Sequence, residues 1–135
     1  MVKRGELLEW AQVYGNLYGV PRREVEQPLK EGRDVIVKAD VQGAETIKGI
    51  APQALLIFLA PPSMEELVAR LQRRKSESTV DLTQRIETAH KEMKRLPIFD
   101  YVVVNHRDRV ELAVAQIDAI ITAEKCRVNP RVVEL

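Results

Sequence analysis

The chain has 135 residues, 45% hydrophobic and 30% charged, enough for one domain with a real core and too few for two. Lys and Arg number 21 against 20 Asp and Glu. A net charge of +1 argues against a general nucleic-acid or membrane-surface binder, so any phosphate chemistry must come from local basic clusters. The single cysteine, Cys126, rules out an internal disulfide and fits a reduced, cytoplasmic setting. The longest apolar run, Ala54 to Pro62, is too short to cross a bilayer, and no signal peptide or internal repeat is visible.

In chain order, Glu6 to Tyr14 carries Leu7, Leu8, Trp10, Ala11 and Val13 at a spacing that predicts a short helix or an irregular amphipathic segment. GNLYG follows, and its two glycines turn the chain into a brief extended piece. Arg22 to Glu31 reads as a helix that Pro28 kinks or shortens and Gly32 caps. Val35, Ile36 and Val37 form a β-branched run without alternation, the pattern of a buried parallel strand, ending at Asp40 and Gly43. Ala44 to Ile50 is a short helix stopped by Pro52, and Ala54 to Ala60 a second buried strand ended by Pro61 and Pro62. Ser63 with Glu66 is a capping box. It opens a helix that carries Leu67, Val68 and Leu71 inward and ends in Arg70, Arg73, Arg74 and Lys75. Past the polar SESTVD, a second helix runs from about Val80 to Arg95, striped by Leu82, Ile86, Ala89 and Met93 and stopped by Pro97. Tyr101 to Val104 is a third buried strand, ending at Asn105. Val110, Ala113, Val114, Ile117 and Ile121 stripe a final helix, and the tail from Val128 to Leu135 reads as loose. Strands alternating with helices predict an α/β fold with a mainly parallel sheet.

The strongest chemical signal is the basic cluster Arg70, Arg73, Arg74 and Lys75, with Arg85 one helix later. An arginine fork matches phosphate oxygens, and Arg74 with Arg85 on one face would offset charge during phosphoryl transfer. A solvated basic helix end, helped by the helix dipole, is the commoner arrangement for such a run. Glu9 is an acceptor beside Trp10, with Tyr14 and Tyr18 downstream. A carboxylate there can accept the paired N–H donors of a guanine edge and a tyrosine hydroxyl can reach a phosphate, while a surface glutamate on a half-buried element is the plainer reading. Asp40 stands at the carboxyl end of a predicted strand, where chemistry collects in open α/β sheets. His90 and His106 have no partner at a metal-ligand spacing and read as surface residues, so no metal site is expected.

LLEWAQVYGNLYG, DVQGA, IFLAPPSMEELVARL, QRI and FDYVVVN, in this order, resemble guanylate kinase. The match runs from about Gly5 to about Arg127, and EWAQVYGNLYG and IFLAPPS are specific to that family. The resemblance implies an α/β fold with a partial P-loop nucleoside-monophosphate-kinase-like parallel sheet, flanked by helices and carrying a helical lid. It implies that Glu9 holds the guanine edge of GMP, that Tyr18 contacts the GMP phosphate and that Asp40 lies near the GMP end of the catalytic cleft. Arg74 and Arg85 would be lid arginines that reach the phosphates in transfer, and Asn105 would sit near the adenine of ATP. Residues 1–24 would be a remnant of the GMP-binding region, 25–63 and 96–127 the core, and 64–95 the lid. The family transfers phosphate from ATP to GMP with magnesium.

The sequence also departs from the family. It contains no Gly-x-x-x-x-Gly-Lys-Ser/Thr and no Gly-x-Gly-x-x-Gly, hence no evident cradle for the β- and γ-phosphates of ATP. The first third of a guanylate kinase, with the P-loop strand and most GMP-phosphate ligands, is absent, and Met1 falls inside the family's pattern. Lys38 stands at a usually acidic position, Val20, followed by Pro21, at a usual Ser or Thr, and Lys75 at a usual glycine. The expectation is a truncated guanylate kinase homologue, inactive alone, that needs no cofactor by itself and binds GMP weakly at best. Magnesium and ATP enter only if the missing segment is supplied. The alternatives are a non-catalytic protein-binding module, or part of an active enzyme completed by that segment. Loss of the central strand would leave Val35–Ala39 and Leu55–Ala60 without a shared neighbour, which predicts a homodimer or a strand-donating partner.

Overall fold

The structure, a computed structural model, describes residues 7–13, 16–63, 65–66, 69, 79–106 and 108–135, with side chains from Val20 onward outside residues 79–82. It divides into two compact units, Met1–Ala54 with Arg131–Leu135, and Leu55–Pro130.

In the first unit, β1 (Leu7–Val13) pairs antiparallel with β2 (Asn16–Pro21). The stretch predicted as helical or irregular is therefore a strand. Its apolar residues follow neither period cleanly, and the ladder offered by residues 16–21 decides the matter, because strand formation depends on the neighbour more than on composition. The register slips between Leu7 and Glu9, which leaves Leu8 as the extra residue of a bulge. Helix α1 (Arg22–Lys30) follows directly and ends two residues after Pro28. Its end is closed as the glycine predicted: Gly32, at φ +77°, donates to the Leu29 carbonyl at 3.1 Å, and the Arg33 amide donates to Pro28 at 2.9 Å. These are the two bonds of a Schellman cap.

The strand predicted at Val35–Ala39 does not form. Residues 33–40 have no ladder partner among the described residues, and without one an extended segment is not a strand. Val35 and Val37 are half-buried, while Ile36 between them is 81% exposed. Helix α2 (Val41–Ile50) starts three residues earlier than predicted because Asp40 caps it, its Oδ1 accepting from the Gly43 amide at 2.8 Å. Lys48 Nζ donates to the Ala54 carbonyl at 3.2 Å just past the helix exit. α2 packs on β1, α1 touches both hairpin strands, and Val25, Val41 and Ala51 are buried.

The second unit is built on β3 (Ile57–Ala60) and β4 (Tyr101–Val104), paired parallel as the pattern of short apolar runs predicted. Asp100 fixes where the ladder begins. Its Oδ2 accepts from the Leu56 amide and its own amide donates to the Leu56 carbonyl, both at 2.8 Å. β3 starts later than Ala54 because a turn bond from the Ala54 amide to Ala51 holds the preceding residues. Phe58 and Phe99 meet edge to face at 5.1 Å, and Leu56, Phe58, Ala60, Val103 and Ala113 form the core. The Glu66 amide donates to Ser63 Oγ at 3.1 Å, half of the predicted capping box. The rest of that helix, including Leu67, Val68, Leu71 and the basic cluster at 70–75, lies outside the described residues.

Helix α3 (Thr79–Met93) leads through a turn into a short 3-10 segment, Leu96–Ile98, around Pro97. Helix α4 (Val110–Lys125) packs on β4, and its Ala113 is buried. Val110 and Val114, from its predicted inward stripe, are instead exposed. Tyr101 donates to Glu124 Oε1 at 2.9 Å and ties β4 to the helix end. Among the described residues no helix is long and apolar enough to cross a membrane.

Candidate functional site

The hairpin register arranges the candidate base-binding residues. Glu9 is paired with Val20, and Ala11 with Tyr18. Residues directly opposite in an antiparallel pair share a face, and so do positions two apart on one strand. Glu9, Ala11, Tyr18 and Val20 therefore occupy one face of the hairpin. Glu9 and Tyr18 are diagonal neighbours on it, a relation that puts positions about 7–8 Å apart. Trp10, paired with Gly19, is on the other face.

Asp40 is half-buried at the N-terminus of α2, in the same unit as the hairpin. One of its oxygens is engaged by the Gly43 amide. Lys38, two residues before it, is exposed.

In the second unit, Asn105 follows β4 directly, and its amide donates to the Ala60 carbonyl at 2.8 Å. It thus stands at the carboxyl ends of both parallel strands, the edge where ligands bind in open α/β sheets. A shallow groove in this unit is lined by Pro62, Glu66, His106, Arg109 and Leu112. Sequence reasoning missed His106 and Arg109 as groove residues because nothing in their spacing marks them; only the β4–α4 connection brings them beside the end of β3. Arg85 is half-buried within α3. Arg74 lies outside the described residues. His90 is exposed, and among the described residues no three His, Cys, Asp or Glu side chains gather as a metal site would need.

The model of the guanylate kinase family matches residues 1–124. The chain belongs to the guanylate kinase family. The guanylate kinase of Desulfitobacterium hafniense (strain Y51) is 44% identical over 129 residues, which cover 96% of this chain and 64% of that protein. Guanylate kinase 2, chloroplastic/mitochondrial, of Oryza sativa subsp. japonica is 43% identical over 136 residues, covering 100% of this chain and 48% of that protein. The crystal structure of guanylate kinase from Anaplasma phagocytophilum superposes with a TM-score of 0.76 at 33% identity, over 94% of this chain and 60% of that one. The chain thus spans less than two thirds of the length of each of these relatives. Its fold is that of guanylate kinases, a P-loop nucleoside-monophosphate-kinase fold, here with helices and an open parallel sheet.

Proposed function

We propose that this chain carries the GMP-binding and lid portion of an ATP:GMP phosphotransferase, and that these 135 residues by themselves do not turn over. The observation that carries the reading is the hairpin register, in which Glu9 and Tyr18 share a face. On that face the Glu9 carboxylate accepts the two adjacent N–H donors of guanine and the Tyr18 hydroxyl donates to the phosphate of the same GMP. Asp40 borders the GMP end of the cleft. Arg74 and Arg85, in a lid spanning residues 64–95, bring positive charge to the phosphates, and Asn105 meets the adenine.

One feature supports the lack of turnover. The 135 residues contain no glycine-rich loop to cradle the β- and γ-phosphates of ATP, and phosphoryl transfer depends on that positioning. One Asp40 oxygen accepts from the Gly43 amide, and no step is assigned to magnesium. A non-catalytic guanylate kinase-like module that binds a partner peptide is the second reading. Val20 opposite Glu9 favours it, since a hydroxyl is lost from the base-binding face, as does Lys38, which brings positive charge near Asp40. The open parallel sheet, two-stranded among the described residues, supports self-association or a strand-donating partner. A cytoplasmic setting completes the reading.

A coupled ATP/GMP assay of the purified chain is the test, and no transfer above background is the expected result. Turnover in the ordinary range of about 1 to 1,000 per second would overturn it.

A further inference from the structure

The chain's last residues belong with its first unit. Arg131–Leu135 packs with Met1–Ala54, whereas the helix that leads to it, α4, belongs to the other unit. On the path between them Val128 is 96% exposed, and residues 126–130 form turns and bends that end in Pro130. Burial then alternates. Arg131 and Val133 are half-buried, while Val132, at 64%, and Glu134 are exposed, and Leu135, at 37%, ends the alternation. A period of two is the signature of an extended segment lying with one side against a surface. The segment has no helix or strand of its own, so its order comes from what it packs on.

We propose that Arg131–Leu135 is an intramolecular strap that completes the Met1–Ala54 unit, with Val133 as its apolar anchor. Among the side chains of that unit described from Val20 onward, Val25, Val41 and Ala51 form the buried apolar surface against which a further side chain can anchor. An apolar side chain held against that surface adds to the unit's stability in proportion to the area it removes from water. Glu9, Tyr18 and Asp40 lie in the strapped unit. The strap therefore also positions the GMP site, a consequence that rests on the function proposed above.

Hydrogen exchange on variants of the 135-residue chain separates the two claims. Val133→Asp, and more mildly the isosteric Val133→Thr, speed exchange in α1 and α2, by about fivefold or more for the aspartate. Val132→Asp, one residue away on the outer side, leaves it unchanged, and β3, β4 and α4 keep wild-type protection throughout. The strap is wrong if Val133→Asp leaves α1 and α2 as they were, if Val132→Asp acts equally, or if both units loosen together. A GMP titration of Val133→Asp then reads the positioning consequence alone. Wild-type chain that binds no GMP refutes the functional reading and leaves the exchange result standing.

Discussion

Asp40 spends one carboxylate oxygen on the Gly43 amide, so removing it costs stability before it costs chemistry. Asp40→Ala should destabilise the chain by about 1 kcal/mol, the usual loss for an N-cap, while Asp40→Asn keeps the acceptor and most of the stability. Denaturant titration of the pair checks this. If both variants also weaken GMP binding, the carboxylate charge itself faces the nucleotide. Single residues such as these were legible in the sequence when their partners are close along the chain. Asp40 with Gly43, Ser63 with Glu66, and Gly32 with α1 all act within a few positions. The pairing of Glu9 with Val20 was not legible, because nothing local names the partner. Glu9 and Tyr18 were singled out by residue type and family likeness, and only the register gives them a common face.

At the scale of elements, two strand readings changed, and the tail read as loose is held in part, with Arg131 and Val133 half-buried. Glu6 to Tyr14 read as helix or irregular, and its described residues Leu7–Val13 form β1; Val35 to Ala39 read as strand and forms none. A helix satisfies its backbone within itself, so α1, α2 and α4 could be anticipated from caps, prolines and periodicity. A strand needs a neighbour, which its own residues do not specify. β3 and β4 were legible because each is a short apolar run and each finds the other. The contrast yields a stability prediction. Val103, 1% exposed, fills the core between β4 and its neighbours, and Val103→Ala should cost about 2 kcal/mol in lost transfer energy and residual cavity. Ile36→Thr, at a position 81% exposed, should stay within about 0.5 kcal/mol. Equal losses at the two positions in urea unfolding would mean that residues 33–40 are packed as a strand in solution.

On the scale of the whole molecule, the parallel sheet has two strands among the described residues, with Leu59 and Val102 half exposed beside their buried neighbours. Open strand edges with apolar flanks recruit further strands. Light scattering at micromolar concentration should therefore report a dimer, and a monomer with a single cooperative unfolding transition would contradict it. Assembly was the least legible property, since it depends on faces that only the fold reveals. The central claim, that the first unit is the GMP side of a guanylate kinase, has a direct measurement of its own. Chemical-shift titration of the labelled chain with GMP should give saturable shifts in β1, β2 and the start of α2. Their Kd should be no tighter than about 1 mM, worth roughly 4 kcal/mol. AMP should bind more weakly, and Glu9→Gln should abolish the preference. No saturable shift with GMP, or identical responses to GMP and AMP, would contradict the account.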